Sequence, residues 1–196
     1  MGRIKSAWEI ALEKTEAIEV DEERIRHNGR IDAIRRKAGA YLLSEEDKEE
    51  ETKTDLASYD EKTLREALGQ TILNSLSLPL SEDNIDPKKG ERLSFLLSLA
   101  LPGNDEAQSF LSDILKHTSQ YPLHKKQLLD QLKDQFEPML KEKEERMRQQ
   151  YGESVHLSFE NDKECREMAN KYLERLRDQY QGTLDDAKNQ LKELFN

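Results

Sequence analysis

DKECREMANKYLERLRDQYQGTLDDAKNQLKELF, residues Asp162–Phe195, carries its less polar side chains at Cys165, Met168, Tyr172, Leu176, Tyr180, Leu184, Ala187, Leu191 and Leu194. The mean step along that series is about 3.6 residues, the period of a straight α-helix and not the 3.5 of a long supercoil. Gly182 interrupts it at a helix cost of about 1 kcal/mol relative to alanine, yet the phase is kept, so the spacing predicts one long helix. A second stripe precedes it between Pro122 and Tyr151, at Leu129, Leu132, Phe136, Leu140, Lys143, Met147 and Tyr151. Pro138 lies inside that stripe and is expected to kink or split the helix, because it removes one backbone hydrogen bond and clashes one turn back. The joint Gly152–Asn161 is short, so residues 122–196 read as a long antiparallel helical hairpin. Within the joint, Val155, Leu157 and Phe159 alternate with polar residues, the one strand-like pattern in the chain. It reads either as a docking knob or, more economically, as a loop that folds back on the core.

Composition points the same way. Of 196 residues, 37% are charged and 35% hydrophobic, with 28 leucines against two valines. Strands favour β-branched residues, so a sizeable sheet is excluded and the class is all-α. The small apolar share suits long helices that each bury one stripe. The architecture expected is a small helical core with an N-terminal helical arm and the C-terminal hairpin.

Residues 62–121 supply that core. Ser58 and Glu61 match a capping box ahead of Leu64, Leu68, Ile72, Leu73 and Leu76. Leu78-Pro79 closes that helix. Asp86-Pro87 caps and opens the next, which holds Leu93, Phe95, Leu96, Leu97, Leu99 and Leu101 and is apolar nearly all round, the mark of a buried centre. Asn104 caps a further helix through Phe110, Leu111, Ile114 and Leu115, and a turn is expected at Tyr121-Pro122.

The N-terminal arm, residues 1–43, has a helical stripe at Ile4, Trp8, Ala11, Thr15, Ile18, Glu22 and Ile25. Asn28-Gly29 marks a stop, a kink or a point of continuation toward Ile31, Ile34, Ala38 and Leu42. From Arg24 to Leu43 the net charge is +5, and from Ser44 to Glu61 it is −7. Residues 44–61 offer little to bury and read as an acidic linker or a frayed helix.

The whole chain carries −10, with a pI near 5.1. That balance disfavours general nucleic-acid binding, whose affinity comes from neutralising phosphates. One cysteine excludes an intrachain disulfide and suits a reducing compartment. No apolar run reaches the roughly 18 residues of a membrane span. The opening residues lack the apolar stretch of a secretory signal, so the expected location is the cytoplasm. Met1-Gly2 through Ser6 fits the loose acylation pattern M-G-x-x-x-[ST], read here as an ordinary start.

Motifs for chemistry are lacking. There is no P-loop, dinucleotide fingerprint or nucleophile elbow. His27, His117, His124 and His156 and the lone Cys165 fall in no metal-ligand spacing. His117 and His124 flank the expected turn and read as exposed loop residues. Cys165 on an apolar stripe reads as a small buried hydrophobe. Glu82–Asp86 lacks the glycine and terminal glutamate of a calcium loop and reads as capping chemistry. No cofactor, metal or catalytic residue is expected.

The opening Gly2-Arg3-Ile4-Lys5-Ser6-Ala7-Trp8-Glu9-Ile10-Ala11-Leu12-Glu13-Lys14-Thr15 resembles the start of a group of small, uncharacterised bacterial helical proteins, a domain of unknown function, chiefly over residues 2–40. The resemblance implies a bacterial cytoplasmic protein and transfers no catalytic residue.

Three functional expectations follow. The first is a non-enzymatic helical scaffold or adaptor that contacts another protein or a second copy of itself, through Ile4, Trp8 and Ile18 of the arm and Tyr172, Leu176, Tyr180 and Leu184 of the hairpin. The second is an anion-binding module gripping nucleic acid or an anionic surface through Arg26, Arg30, Arg35, Arg36 and Lys37. Its bland counterpart is a basic segment that pairs with the neighbouring acidic block. The third, least favoured, is an enzyme whose site joins residues distant in sequence.

Overall fold

The computed structural model describes residues 22–46, 48–152 and 156–195. The described residues form six α-helices and no strand: α1 Glu22–Leu42, α2 Glu49–Leu56, α3 Glu61–Ser75, α4 Pro87–Ala100, α5 Asp105–Tyr151 and α6 Lys163–Glu193. A single 3-10 turn, Glu82–Asn84, lies between α3 and α4. The chain is all-α.

Side-chain caps mark four helix starts. Asp60 accepts from the Thr63 backbone N–H at 2.9 Å and opens α3. The capping box expected at Ser58–Glu61 is thus replaced by Asp60–Thr63: the aspartate adjoining the first turn reaches the free N–H groups, and the Thr63 hydroxyl adds a second donor. Asp86 caps α4 ahead of Pro87, and Asn104 caps α5. Asp162 caps α6. At the other end of α5, Gly152 takes φ of 71° and donates its N–H to Arg148 O at 3.0 Å. A side chain there would meet the left-handed penalty.

The main core forms where α1, α3, α4 and the first turns of α5 meet. Ile34, Ala38, Leu68, Ile72, Leu93, Leu96, Leu97, Ala100 and Leu111 are fully buried in it. Within residues 93–101, expected from their apolar character to be buried nearly all round, one face is buried, through Leu93, Leu96, Leu97 and Ala100, while Phe95 and Leu99 are half-buried and Ser98 is exposed. The α1 helix runs straight through Gly29 and packs on this core through Ile31, Ile34, Ala38 and Tyr41. The acidic block holds an ordered helix, α2, which buries Thr52 and Leu56.

The 47-residue α5 departs most from the sequence reading. It runs without a break through Tyr121-Pro122, where a turn was expected, and through Pro138. At 1.5 Å per residue it is about 70 Å long. Proline forfeits one hydrogen bond inside a helix, and tertiary packing makes up the loss. Tyr121 and Pro122 are both buried, and Tyr121 packs against Tyr180 of α6.

Helix α6 returns along α5 and delivers Leu184 and Leu191 into the main core. At its end the Phe195 ring lies on Gly69 of α3. A Cβ built at Gly69 would sit 2.7 Å from the ring, closer than real contacts allow. Gly69→Ala should therefore destabilise the chain more when Phe195 is present than in a Phe195→Ala background. In that background the helix gain of up to about 1 kcal/mol can show. Denaturant midpoints of the four chains measure this coupling, and equal effects in both backgrounds would show that the ring is not seated there.

Candidate functional site

Beyond the main core, α5 pairs with α6, with the Leu80–Glu82 segment touching Lys125 and Lys126, and the α5–α6 seam has three parts. Nearest the core is an aromatic group. The Tyr180 ring stacks on His117 at 4.6 Å and meets Tyr121 at 5.3 Å. Its hydroxyl hydrogen-bonds with Nδ1 of His124. Burial pushes the Tyr180 phenol up from its ordinary range, so it stays neutral. His117 and His124 are thus helical residues seven apart on one side of α5, brought together through Tyr180. A continuous helix puts positions 117, 121 and 124 in one row, whereas the expected turn would have separated them. The Nε2 of His117 is buried without a hydrogen-bond partner.

Farther out is a second apolar cluster of Leu132, Leu140, Phe159, Cys165 and Ala169. Phe159 and Leu157 of the joint fold back onto it, and Val155 lies outside the described residues. Cys165 is fully buried. Burial raises its thiol above the ordinary range, and Asp162 raises it further, so the thiolate that nucleophilic chemistry needs is suppressed.

The third part is a charged clamp. Asp162 accepts from Lys143 Nζ at 2.6 Å and from the Cys165 backbone N–H at 3.1 Å. Lys143 also reaches Glu164 at 3.3 Å. Lys143 thereby ties α5 to the cap of α6. Its ammonium and the Cys165 N–H hold the Asp162 carboxyl at about 2, well below the ordinary 3.8.

The sequence-derived contact residues divide. Ile4, Trp8 and Ile18 lie outside the described residues. Tyr180 and Leu184 are only 7% and 1% exposed, covered by the chain's own helices, and present nothing to a partner. Leu176 is half-buried. Tyr172 is 39% exposed, and Met168, one turn earlier, is 38% exposed. Arg175 lies over the Tyr172 ring at 5.9 Å. The apolar stripe read in the sequence therefore merges two faces. Cys165, Ala169, Tyr180 and Leu184 form a buried inward row, while Met168 and Tyr172 form an outward flank. The signal that separates them is Ala169, a small residue beside Met168 that a 3.6-residue average passes over.

The basic segment is largely paired. Lys37 meets Asp55 at 3.5 Å and Arg30 meets Asp60 at 4.0 Å, both in the acidic block. Arg26 pairs with Glu22 and Arg35 with Asp32 inside α1. Arg36 donates to the Asp32 carbonyl at 3.3 Å. Among the described residues no group of three His, Cys, Asp or Glu side chains could hold a metal. No described helix is long and apolar enough to cross a membrane.

These elements define an all-helical protein with a mixed-helix core and a projecting pair of antiparallel helices. The chain belongs to a family of unknown function, DUF6657, whose profile matches residues 51–193. The family relationship rests on that span, which runs from within α2 to the end of α6, and not on the N-terminal residues 2–40 where the likeness was read. No curated protein and no solved structure matches the chain.

The clamp gives a signed pH dependence. The Asp162 carboxyl is lower in the folded state than in the unfolded chain, so it contributes stability above about pH 4 and loses it as the pH falls toward 2. Asp162→Asn should cost about 1 kcal/mol at pH 7, the scale of one hydrogen bond. The gap from the parent should narrow through that acid window in urea titrations. A gap independent of pH would exclude the charged clamp.

Proposed function

We propose that this chain is a non-enzymatic helical scaffold or adaptor of the cytoplasm, acting through helix-to-helix contact along its projecting arm. The observation that carries the reading is the Met168–Tyr172 flank of α6. The inward row of α6 is already satisfied by α5, so the flank is surplus to the fold of a single chain. A methionine and a tyrosine one turn apart offer an adaptable apolar contact with a polar tip. Such an i, i+4 pair suits the face of another helix, from a second copy or from another protein.

The anion-binding reading is less well supported. Four of its five basic residues face carboxylates, and Arg36 is engaged by a backbone carbonyl. Phosphate would have to displace those partners. The proposal assigns no catalysis to the chain.

The test is Met168→Asp with Tyr172→Asp, compared with the parent by sedimentation equilibrium, circular dichroism and affinity capture from its source cells with nuclease present. The expected result is unchanged helicity and melting temperature, since both sites are exposed, with loss of self-association or of a captured protein. The same mass and the same capture profile in both chains would refute it.

A further inference from the structure

Between the 76–86 connection and the facing sides of α4 and α5 lies a cavity of about 300 Å³. That is the lower end of the roughly 300–1,000 Å³ typical of small-molecule sites. Its lining combines apolar Leu76, Ile85 and Leu115 with Ser112 and Ser119, and it includes Lys89, Asp86 and an exposed Lys116 that lies 3.8 Å from Asp113. Lys89 is half-buried. Among the described residues no carboxylate lies within salt-bridge distance of it. The neighbouring carboxylate, Asp86, is committed elsewhere: Oδ1 accepts from the Lys88 backbone N–H at 2.9 Å, and Oδ2 lies 3.5 Å from the nearly buried Arg92 guanidinium. Burial, assisted by the nearby Lys188, pulls the Lys89 ammonium below its ordinary range, against the opposing pull of Asp86.

A chain with ten excess negative charges thus keeps one partly desolvated cation without a paired acid at the wall of a cavity. Such a charge is costly unless an anion joins it. One ammonium asks for one negative charge, and the leucine and isoleucine wall asks for an apolar body behind it. We propose that this cavity binds a small organic monoanion, a short hydrocarbon body ending in a carboxylate, with Lys89 as its counter-ion and Ser112 beside it.

The test titrates the full chain with hexanoate and follows backbone amides by NMR, with hexanol and inorganic phosphate as comparison probes. Hexanoate should shift Gly90, Ser112 and Ser119 in a saturable way. Hexanol should bind at least about tenfold more weakly, the factor one charge-assisted hydrogen bond supplies. Lys89→Met should weaken hexanoate by a similar factor. Lys141→Met should leave it unchanged, because Lys141 does not line the cavity and pairs with Glu137 at 2.7 Å farther along α5. No saturable shift with hexanoate would overturn the proposal, as would undiminished binding to Lys89→Met. Phosphate binding as tightly as hexanoate would also overturn it, by showing a bare charge site. If Lys89→Met fails to fold, the parent alone decides, since equal affinity for hexanol and hexanoate removes any role for the ammonium.

Discussion

The burial of Leu184 and Leu191 of α6 in the main core is the contact on which the architecture turns. The helix begins at the far end of the arm, at Asp162, and must travel back along α5 before its last turns reach the core. That return fixes the direction of α6 and therefore its antiparallel pairing. It also closes a structure whose first core residues come from α1, more than a hundred positions earlier. Two fully buried leucines are worth about 1.5–3 kcal/mol each by transfer. The Phe195 ring on Gly69 extends the contact to α3. Without this anchor, the distal half of α5 would present its apolar stripe to water.

The arm depends on other physics than the core. The core is a dense meeting of leucines from several helices. The arm is only two helices and a folded-back joint, so few of its residues are covered on all sides as Cys165 is. It compensates with specific devices: the stacked Tyr180 and His117 rings, the Lys143–Asp162 clamp, and Phe159 folding over the end of the seam. Surface ion pairs contribute little singly, but Asp162 is nearly buried and also caps α6, so two interactions share one carboxylate.

The helical class was legible because leucine excess, low β-branched content and a 3.6-residue stripe all point one way. The α6 helix was legible for the same reason, and the Asp86-Pro87 and Asn104 starts because capping is local chemistry. The continuity of α5 was not. Proline's bias against the helix is local, whereas the Tyr121–Tyr180 packing that offsets it joins residues 59 positions apart. The same blindness hid the His117–Tyr180–His124 group, since its histidines share a row only if the helix does not break. In the hairpin, periodicity put Tyr172, which is exposed, on one stripe with Tyr180 and Leu184, which are buried. Which turn of a stripe faces inward depends on the partner helix, and the stripe alone does not contain that partner.

The acidic block shows how charge and folding interlock here. Read by itself, residues 44–61 have too much charge and too little apolar surface to order. In the fold they sit beside the basic α1, where Lys37 reaches both the side chain and the backbone carbonyl of Asp55. Leu56 then enters the core. Opposite charge thus lowers the cost of bringing α2 to α1, and one buried leucine holds it there. The arrangement spends the chain's strongest basic run on its own fold. Outward along the long helices lie the Met168–Tyr172 flank of α6 and, on α5, Leu123 and Tyr151, and a contact built on the flank would gain from excluding water and depend little on salt.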